Sequence, residues 1–512
     1  PPPAQPKEDP LLADAKADAK SRPPAGLSQV LRWVRLVVQY MLIPFLVAAV
    51  VDFHLSMFVF RAYDWYATLR MGPRPPRVGM SGGTMPALVR DTELPLRTAG
   101  RWILNQHGDR VRLRCTNWFG ANLETMVVGG LHQRPMSEIV RDIISLGFNC
   151  VRLPYSLKIH LTEVVPDLHW LAANPHLQHK PARDVLYAVV DALTEARVMV
   201  ILNNHHGKPM MCCSIHDGEG LWYSEGYPEE SWLRSLEELA EKYRGNSYVV
   251  GYDLRNELRA VKGPHGIRTP TWGTGGPDYD WAAAALRGAL AVTAQDKDAL
   301  LVIEGLDFDT DLSGLRDANV ANATQLHLHP SLSGRVVYEA HDYSWTHAEF
   351  FYAWLLHWFC VGQLLVLFVE LCRQRGTWKW RVYSFMQKFK GQRRMARLLL
   401  AVAIWMYSCW LASYARFEHT VTERWGFLVR DGVAPVWLGE FGVNAIIYED
   451  IREGELGKWS WWRHITRFIN EHNMDYGYWA INGDKGGAEE TFGLYNHDYS
   501  SLRHPWMLDA LP

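Results

Sequence analysis

The stretch 248–257, YVVGYDLRNE, opens on apolar and small residues and closes on Asp253, Arg255, Asn256 and Glu257. So short an apolar run suits a strand buried on both faces, with a polar end that emerges at the sheet edge. Outward from it the design recurs in VRLRCTNW (111–118), FNCVRLPY (148–155), VMVILNNHH (198–206), ALLVIEG (299–305), RVVYEAHDY (335–343), APVWLGEFG (434–442) and YGYWAING (476–483). Between these runs Met136–Leu146, Pro181–Ala196, Glu229–Tyr243, Tyr279–Ala294 and Lys458–His472 carry apolar residues at helical spacing. Buried runs alternating with amphipathic helices mean parallel strands, and eight such units close into an α/β fold of the (β/α)8 TIM-barrel type. A doubly wound open sheet is the rival arrangement. No glycine-rich phosphate loop follows the first run, which argues against its dinucleotide-binding form.

The chain has 512 residues, against about 250 for one barrel, so further segments need a place. Residues 1–33 are rich in Pro, Ala, Lys and Asp and read as a disordered cytoplasmic tail. Within 34–61 an uncharged apolar run from Leu36 to Val51 resumes after Asp52 as far as Phe60, long enough for a transmembrane anchor. A cleaved signal peptide, and hence a secreted protein, is the alternative. Residues 62–100, with Pro and Gly clusters, read as a linker, and the barrel occupies 101–345 and 431–512.

The insertion at 346–430 breaks the alternation. Phe350–Val369 and Leu398–Ala415 contain no formally charged residue, and each is near the length of a bilayer span. Over 373–397, between them, Arg373, Arg375, Lys379, Arg381, Lys388, Lys390, Arg393, Arg394 and Arg397 stand without one acid. The positive-inside rule puts that basic loop in the cytoplasm and both halves of the barrel on the extracellular or lumenal side. The competing reading is a soluble lid in which Trp354, Trp358, Trp405 and Trp410 pack on the barrel.

A formal net charge of −2 supplies no field for nucleic acid, which is not expected as a partner. Seven cysteines lack the paired spacing of zinc sites, so neither a metal nor another cofactor is expected. Cys212 and Cys213 are open to disulfide pairing, with a connectivity that spacing does not reveal. The 23 Trp, 22 Tyr and 18 Phe suit sugar faces as well as a core.

Catalytic groups of a parallel barrel stand at the C-terminal strand ends. These ends carry Trp118, Arg152, His205, Asn256 with Glu257, Glu304, His341 with Tyr343, Glu440 and Trp479. Cleaving a glycosidic bond needs two carboxylates across a cleft, and Glu257 and Glu440 are the candidates: Glu257 as acid/base, Glu440 as nucleophile. Arg152 and Tyr343 are placed to keep Glu440 ionised, Asn256 to hold a sugar 2-hydroxyl, and Trp479 to stack under a ring. Trp118, Trp222 and Trp345 are open to either sugar contact or packing. Glu304 reads as a structural ion-pair partner rather than a third site carboxylate. His205 and His206, adjacent on a strand, point opposite ways, so only one enters the site and a metal is not favoured.

The words GFNCVRLPYS, VILNNHH, LRNELR, EAHDYSW and WLGEFG, in this order, resemble the cellulase-like family 5 of glycoside hydrolases. NWFGANLETMVVGGL, KPMMCCSIHDGEGLWYS and GLDFDTDLS bring the likeness closest to its plant-type members. The resemblance covers about residues 100–345 and 430–500. It implies a retaining mechanism with Glu257 as acid/base and Glu440 as nucleophile. Arg152, His205, Asn256, His341, Tyr343 and Trp479 match its supporting residues. Asn203 departs from the pattern, which has Asp there. The implied substrate is a β-linked glycan, and the hydrophobic insertion suggests presentation at a lipid bilayer, as a wall β-glucan or a glycolipid. A catalytically silent glycan-binding membrane protein is the rival from another class.

Overall fold

The computed structural model describes residues 88–263, 266–316, 325–373, 392–444, 458–503, 508 and 510–512. The proposed tail (1–33) and anchor (34–61) lie outside these residues, as does most of the basic loop.

Eight parallel strands close into a barrel: β1 (Arg114–Asn117), β2 (Cys150–Ser156), β3 (Met199–His206), β4 (Val249–Asp253), β5 (Leu300–Glu304), β6 (Val336–His341), β7 (Val436–Phe441) and β8 (Asp475–Tyr478). Each pairs with its sequence neighbours, and β8 returns to β1. All eight match the runs read from the sequence to within one residue, so the barrel is the fold and the open sheet is excluded.

Four of the connecting helices, α1 (Met136–Ser145), α2 (Ala182–Glu195), α3 (Glu229–Tyr243) and α4 (Trp281–Gln295), follow the expected spacing. On α2 the buried stripe is Val185, Leu186, Val189, Val190 and Leu193, the i, i+4 pattern of one apolar face. Pro135, Pro181 and Pro228 stand at the N-termini of α1, α2 and α3, where the missing N–H forfeits no helical bond.

Alternation along the strands stratifies the interior. Cys115, Cys150, Met199, Ile201, Leu300, Val302 and Val337 form an apolar cluster at its lower end. Two residues on, the same faces carry Asn117, Arg152, Asn203, Glu304 and Glu339, all buried. Cys115 and Cys150, in register on β1 and β2, are joined by a disulfide with their Cα atoms 4.2 Å apart.

Part of the stretch read as a linker is core. Val89, Leu94 and Leu96, with Ile103 on the strand Trp102–Leu104, belong to the apolar cluster under the barrel. Barrels expose a hydrophobic lower opening, and this segment covers it.

The described residues of the insertion, Phe351–Ser413, form a compact unit of their own, whereas Tyr414 onward belongs to the barrel unit. Tyr414, Phe417, Val421, Trp425 and Leu428, within the stretch read as insertion, are buried. Helix α5 (Ala348–Arg373) is long and apolar enough over Ala348–Val366 to cross a membrane by length and composition. The second expected span is shorter than the sequence suggested. Helix α6 (Gln392–Leu411) stops before Ala412, leaving the uncharged residues 398–411, which rise about 21 Å at about 1.5 Å per residue against a bilayer core of about 30 Å. Trp354 and Trp358 are 46% and 43% exposed.

Candidate active site

At the C-terminal ends of the strands a cleft of about 570 Å³ is lined by His205, Asn256, Glu257, Tyr343, Trp345, Glu440 and Trp479, among others. Glu440 stands on β7 itself. Glu257 lies four residues beyond the end of β4, in a turn with φ of 44°, a left-handed conformation that is costly for a residue with a Cβ. The surroundings enforce it. Its backbone N–H donates to Glu304 Oε2 at 2.5 Å, and Arg259 Nη1 donates to its carbonyl at 2.7 Å.

Glu257, His341 and Glu440 bring one side-chain oxygen or nitrogen each within 4.8 Å of one another. The two carboxyl groups therefore face one another across the cleft, as a pair that cleaves a glycosidic bond must. The two acids differ in their company. Arg152 Nη1 contacts Glu440 Oε1 at 2.5 Å, and the Tyr343 hydroxyl donates to Glu440 Oε2 at 3.2 Å. Burial raises the Glu440 carboxyl, while His341, in its protonated form only, and the Arg152 guanidinium pull it back. Burial pushes Glu257 up to about 7, against the weaker pull of Arg259 and Arg152. Its neighbour His341 Nδ1, at 3.1 Å from Oε1, is no cation, because burial pushes that imidazole down to about 4.

Arg152 is the hub beneath the site. It is fully buried and pairs with Asp253 at 2.8 Å, Glu304 at 3.0 Å and Glu339 at 3.2 Å besides Glu440, and it donates to Asn117 and Asn256. Burial works against its charge, and Glu339, Asp253, Glu440 and Glu304 more than offset that. One guanidinium cannot neutralise so many anions. Burial raises Glu304, Glu339 and the neighbouring Asp309 well above the carboxylate range, so protons stay among them. Glu304 thus contacts Arg152 beneath the site, and it also braces the Glu257 backbone.

Asn203, the departure from the family pattern, donates to Asp253 at 2.7 Å, which leaves its Oδ1 to accept from His205 Nδ1 at 2.7 Å. The charge expected at residue 203 thus sits one step back, on Asp253. Burial holds His205 neutral, so its Nε2 is an acceptor toward the cleft. Its ring lies 6.0 Å from that of Trp479, nearly parallel, and Trp479 stacks at 4.7 Å on Phe119. Trp345 is 62% exposed and stacks at 4.3 Å on Tyr343.

Of the three tryptophans left open between sugar contact and packing, two are buried. Trp118 is fully buried, with its indole N–H donating to Gly129 O, and Trp222 is buried with its N–H on Glu229. Both pack beneath the loops and line no part of the cleft. Sequence reasoning missed Glu339, which shares the inward face of β6 with His341 two residues on. It also missed Asp309, which arrives from the loop after β5 and bonds the Gly305 N–H. The first was available from strand alternation; the second carried no local signal.

The chain matches the family described as cellulase (glycosyl hydrolase family 5) over residues 104–485. It is 28% identical over 449 residues to a glycosyl hydrolase 5 family protein of Chamaecyparis obtusa, covering 82% of this chain and 65% of that one. An endoglucanase of Paenibacillus polymyxa is 25% identical over 415 residues, 80% of this chain and 84% of its own. Among solved structures, the hyperthermophilic endocellulase of Pyrococcus horikoshii superposes with a TM-score of 0.57 at 20% identity, covering 82% of this chain and 99% of that one, a likeness of fold. With its barrel and its pair of facing acids, the chain belongs to the cellulase family, glycosyl hydrolase family 5.

Proposed function

We propose that the protein hydrolyses a β-glucan with retention of anomeric configuration, through a covalent glycosyl ester on Glu440. The observation that carries this reading is the approach of the Glu257 and Glu440 oxygens within 4.8 Å. Glu440, held by Arg152 and Tyr343, attacks the anomeric carbon as the glycosidic bond breaks, and Glu257, protonated up to about pH 7, gives its proton to the departing oxygen. Glu257, now an anion, takes a proton from water, whose oxygen attacks the same carbon and frees Glu440. Trp479 stacks under a sugar, and Asn256 and His205 hold hydroxyls. A crystal form of the Pyrococcus endocellulase carries cellotetraose, and a linear β-glucan is the substrate class assigned here. NMR of cellotetraose hydrolysis is expected to show the β-anomer of the product first; the α-anomer first overturns retention. A panel of β-glucans and glycosylated lipids separates this substrate from a glycolipid.

A second reading concerns location. Phe351, Trp354, Leu355, Trp358 and Phe359 on α5, with Leu399, Leu400 and Val402 on α6, are exposed apolar side chains in one small unit. A patch of that kind calls for a covering. Aromatic residues beside a loop of cationic ones fit a lipid bilayer, which would bring the barrel to a membrane surface. Flotation with phosphatidylcholine–phosphatidylserine vesicles is expected for the full chain and lost in Trp354→Ser/Trp358→Ser. Equal flotation of the two overturns it.

A further inference from the structure

His341 stands between two carboxyls. Its Nδ1 lies 3.1 Å from Glu257 Oε1, and its Nε2 lies 3.2 Å from Glu339 Oε1, with Asp309 Oδ2 farther off at 3.5 Å. Burial keeps the ring neutral, so it brings a single N–H to these contacts, and a carboxyl must supply the other hydrogen. Either Glu257 donates to Nδ1 while Nε2–H donates to Glu339, or Glu339 donates to Nε2 while Nδ1–H donates to Glu257.

The surroundings of Glu339 favour the second arrangement. Glu304 accepts on its two oxygens from Arg152 and the Glu257 N–H, and Glu440 does so from Arg152 and Tyr343. Asp253 accepts from Arg152 and Asn203, and Asp309 from the Gly305 N–H. Among the described residues Glu339 has no such donor of its own: Arg152 Nε, at 3.2 Å, already donates to Asp253 at 2.8 Å. With one guanidinium for so many acids, the acid least supplied with donors is the one that keeps a proton, and His341 Nε2 is within reach to accept it. The place of that carboxyl is built into the strands. A Cβ at residue 439 would collide with it, so Gly439, one residue before the nucleophile on β7, leaves the space that Glu339 fills.

We propose that Glu339, as a carboxylic acid, donates to His341 Nε2 and so fixes the imidazole proton on Nδ1, where it holds Glu257 Oε1 and leaves the acidic proton on Oε2. Glu339 is then a positioning residue that acts on the acid/base through His341. This inference rests on the hydrolase reading above. No proton passes between Glu339, His341 and Glu257. In the first step the Oε2 proton goes to the departing oxygen as the glycosidic bond breaks, and the Nδ1–H, unmoved, then faces a carboxylate. A hydrogen bond to an anion is stronger than one to a neutral acid, so this contact strengthens as Glu257 becomes charged. The opposite tautomer would turn a lone pair toward that anion.

The direct test is ¹⁵N NMR of the full-length chain labelled in histidine, with His341→Gln identifying the resonances of this ring. The expected result at pH 6 is a protonated Nδ1 and an unprotonated Nε2. A proton on Nε2 overturns the proposal; that is also the result if Glu339 gives its proton to Asp253 instead. Kinetics supply a second measurement. Glu339→Leu is expected to lower kcat/KM for cellotetraose, relative to that for β-cellobiosyl fluoride, by about tenfold, because the fluoride needs little proton donation. Glu339→Gln, whose amide N–H can donate to the same nitrogen, is expected to bring that ratio back to within about twofold of wild type. An unchanged ratio in Glu339→Leu, or an equal loss in both variants, overturns the proposal. Should Glu339→Leu not fold, the wild-type spectrum decides by itself. Wild type no faster than Glu440→Gln on the fluoride would refute the hydrolase reading, which the spectrum does not involve, so the two failures are distinguishable.

Discussion

Arg152 Nη1 contacts Glu440 Oε1 at 2.5 Å, whereas Glu257 meets a histidine that burial keeps neutral. A fixed cation favours the ionised form of one acid, and a desolvated pocket favours the protonated form of the other. That asymmetry supports the opposite roles proposed for two chemically identical side chains.

The roles predict distinct kinetics. Glu257→Gln is expected to slow cellotetraose hydrolysis by roughly 10² to 10⁴-fold, while β-cellobiosyl fluoride, whose leaving group needs little protonation, loses much less. Glu440→Gln is expected to reduce both substrates to the buffer background. Steady-state rates on the two substrates check this; similar losses in both variants on both substrates would contradict it.

Activity is expected to follow a bell-shaped pH profile. In kcat/KM, which reports the free enzyme, the basic limb marks loss of the Glu257 proton near pH 7. The acid limb reports protonation of Glu440. A profile of kcat/KM flat from pH 5 to 9 would contradict the assignment.

Stability moves the other way at the same residue. A carboxyl raised from 4.5 to about 7 is favoured protonated in the folded chain, so its contribution is present below pH 4.5 and lost as pH rises through 7. Glu257→Gln removes that loss, and at pH 8 it is expected to be more stable than the wild type by up to about 3 kcal/mol. Denaturant unfolding at pH 4 and pH 8 checks it, with the difference present only at the higher pH.

Arg152→Ala leaves Asp253, Glu304, Glu339 and Glu440 without their shared cation. The expected cost is about 3–5 kcal/mol, with activity lost even where the variant folds. A variant within about 1 kcal/mol of wild type would show that the carboxyls are neutral without it.

His347 offers a test outside the cleft. Burial alone would lower it, but Asp342 at 2.8 Å and Glu349 at 3.1 Å raise it to about 9. Its contribution is therefore full below pH 6.5 and lost as pH rises through 9. His347→Gln is expected to destabilise the chain at pH 6 by up to about 3 kcal/mol, with the gap narrowing by pH 10. A pH-independent gap would mean that packing, and not charge, is what the residue supplies.

Much of this molecule was legible in the amino-acid order because the rules that made it so are local. Alternation along a strand puts Cys150 and Arg152, or Glu339 and His341, on one inward face, and eight repeats of strand and helix leave a barrel as the closed solution. Glu257 and Glu440 followed, since strand ends are where a barrel exposes side chains. What no local rule contains is the path of a loop between two strands. Asp309 reaches the hub from such a loop, Cys212 reaches Glu257 from another, and Trp118, one residue beyond a strand end, turns into the packing instead of the cleft. Tyr414 and Phe417 likewise meet His464, a partner far along the chain. Periodicity constrains neighbours in sequence, whereas these contacts exist only because closing the barrel brings distant segments within reach of one another.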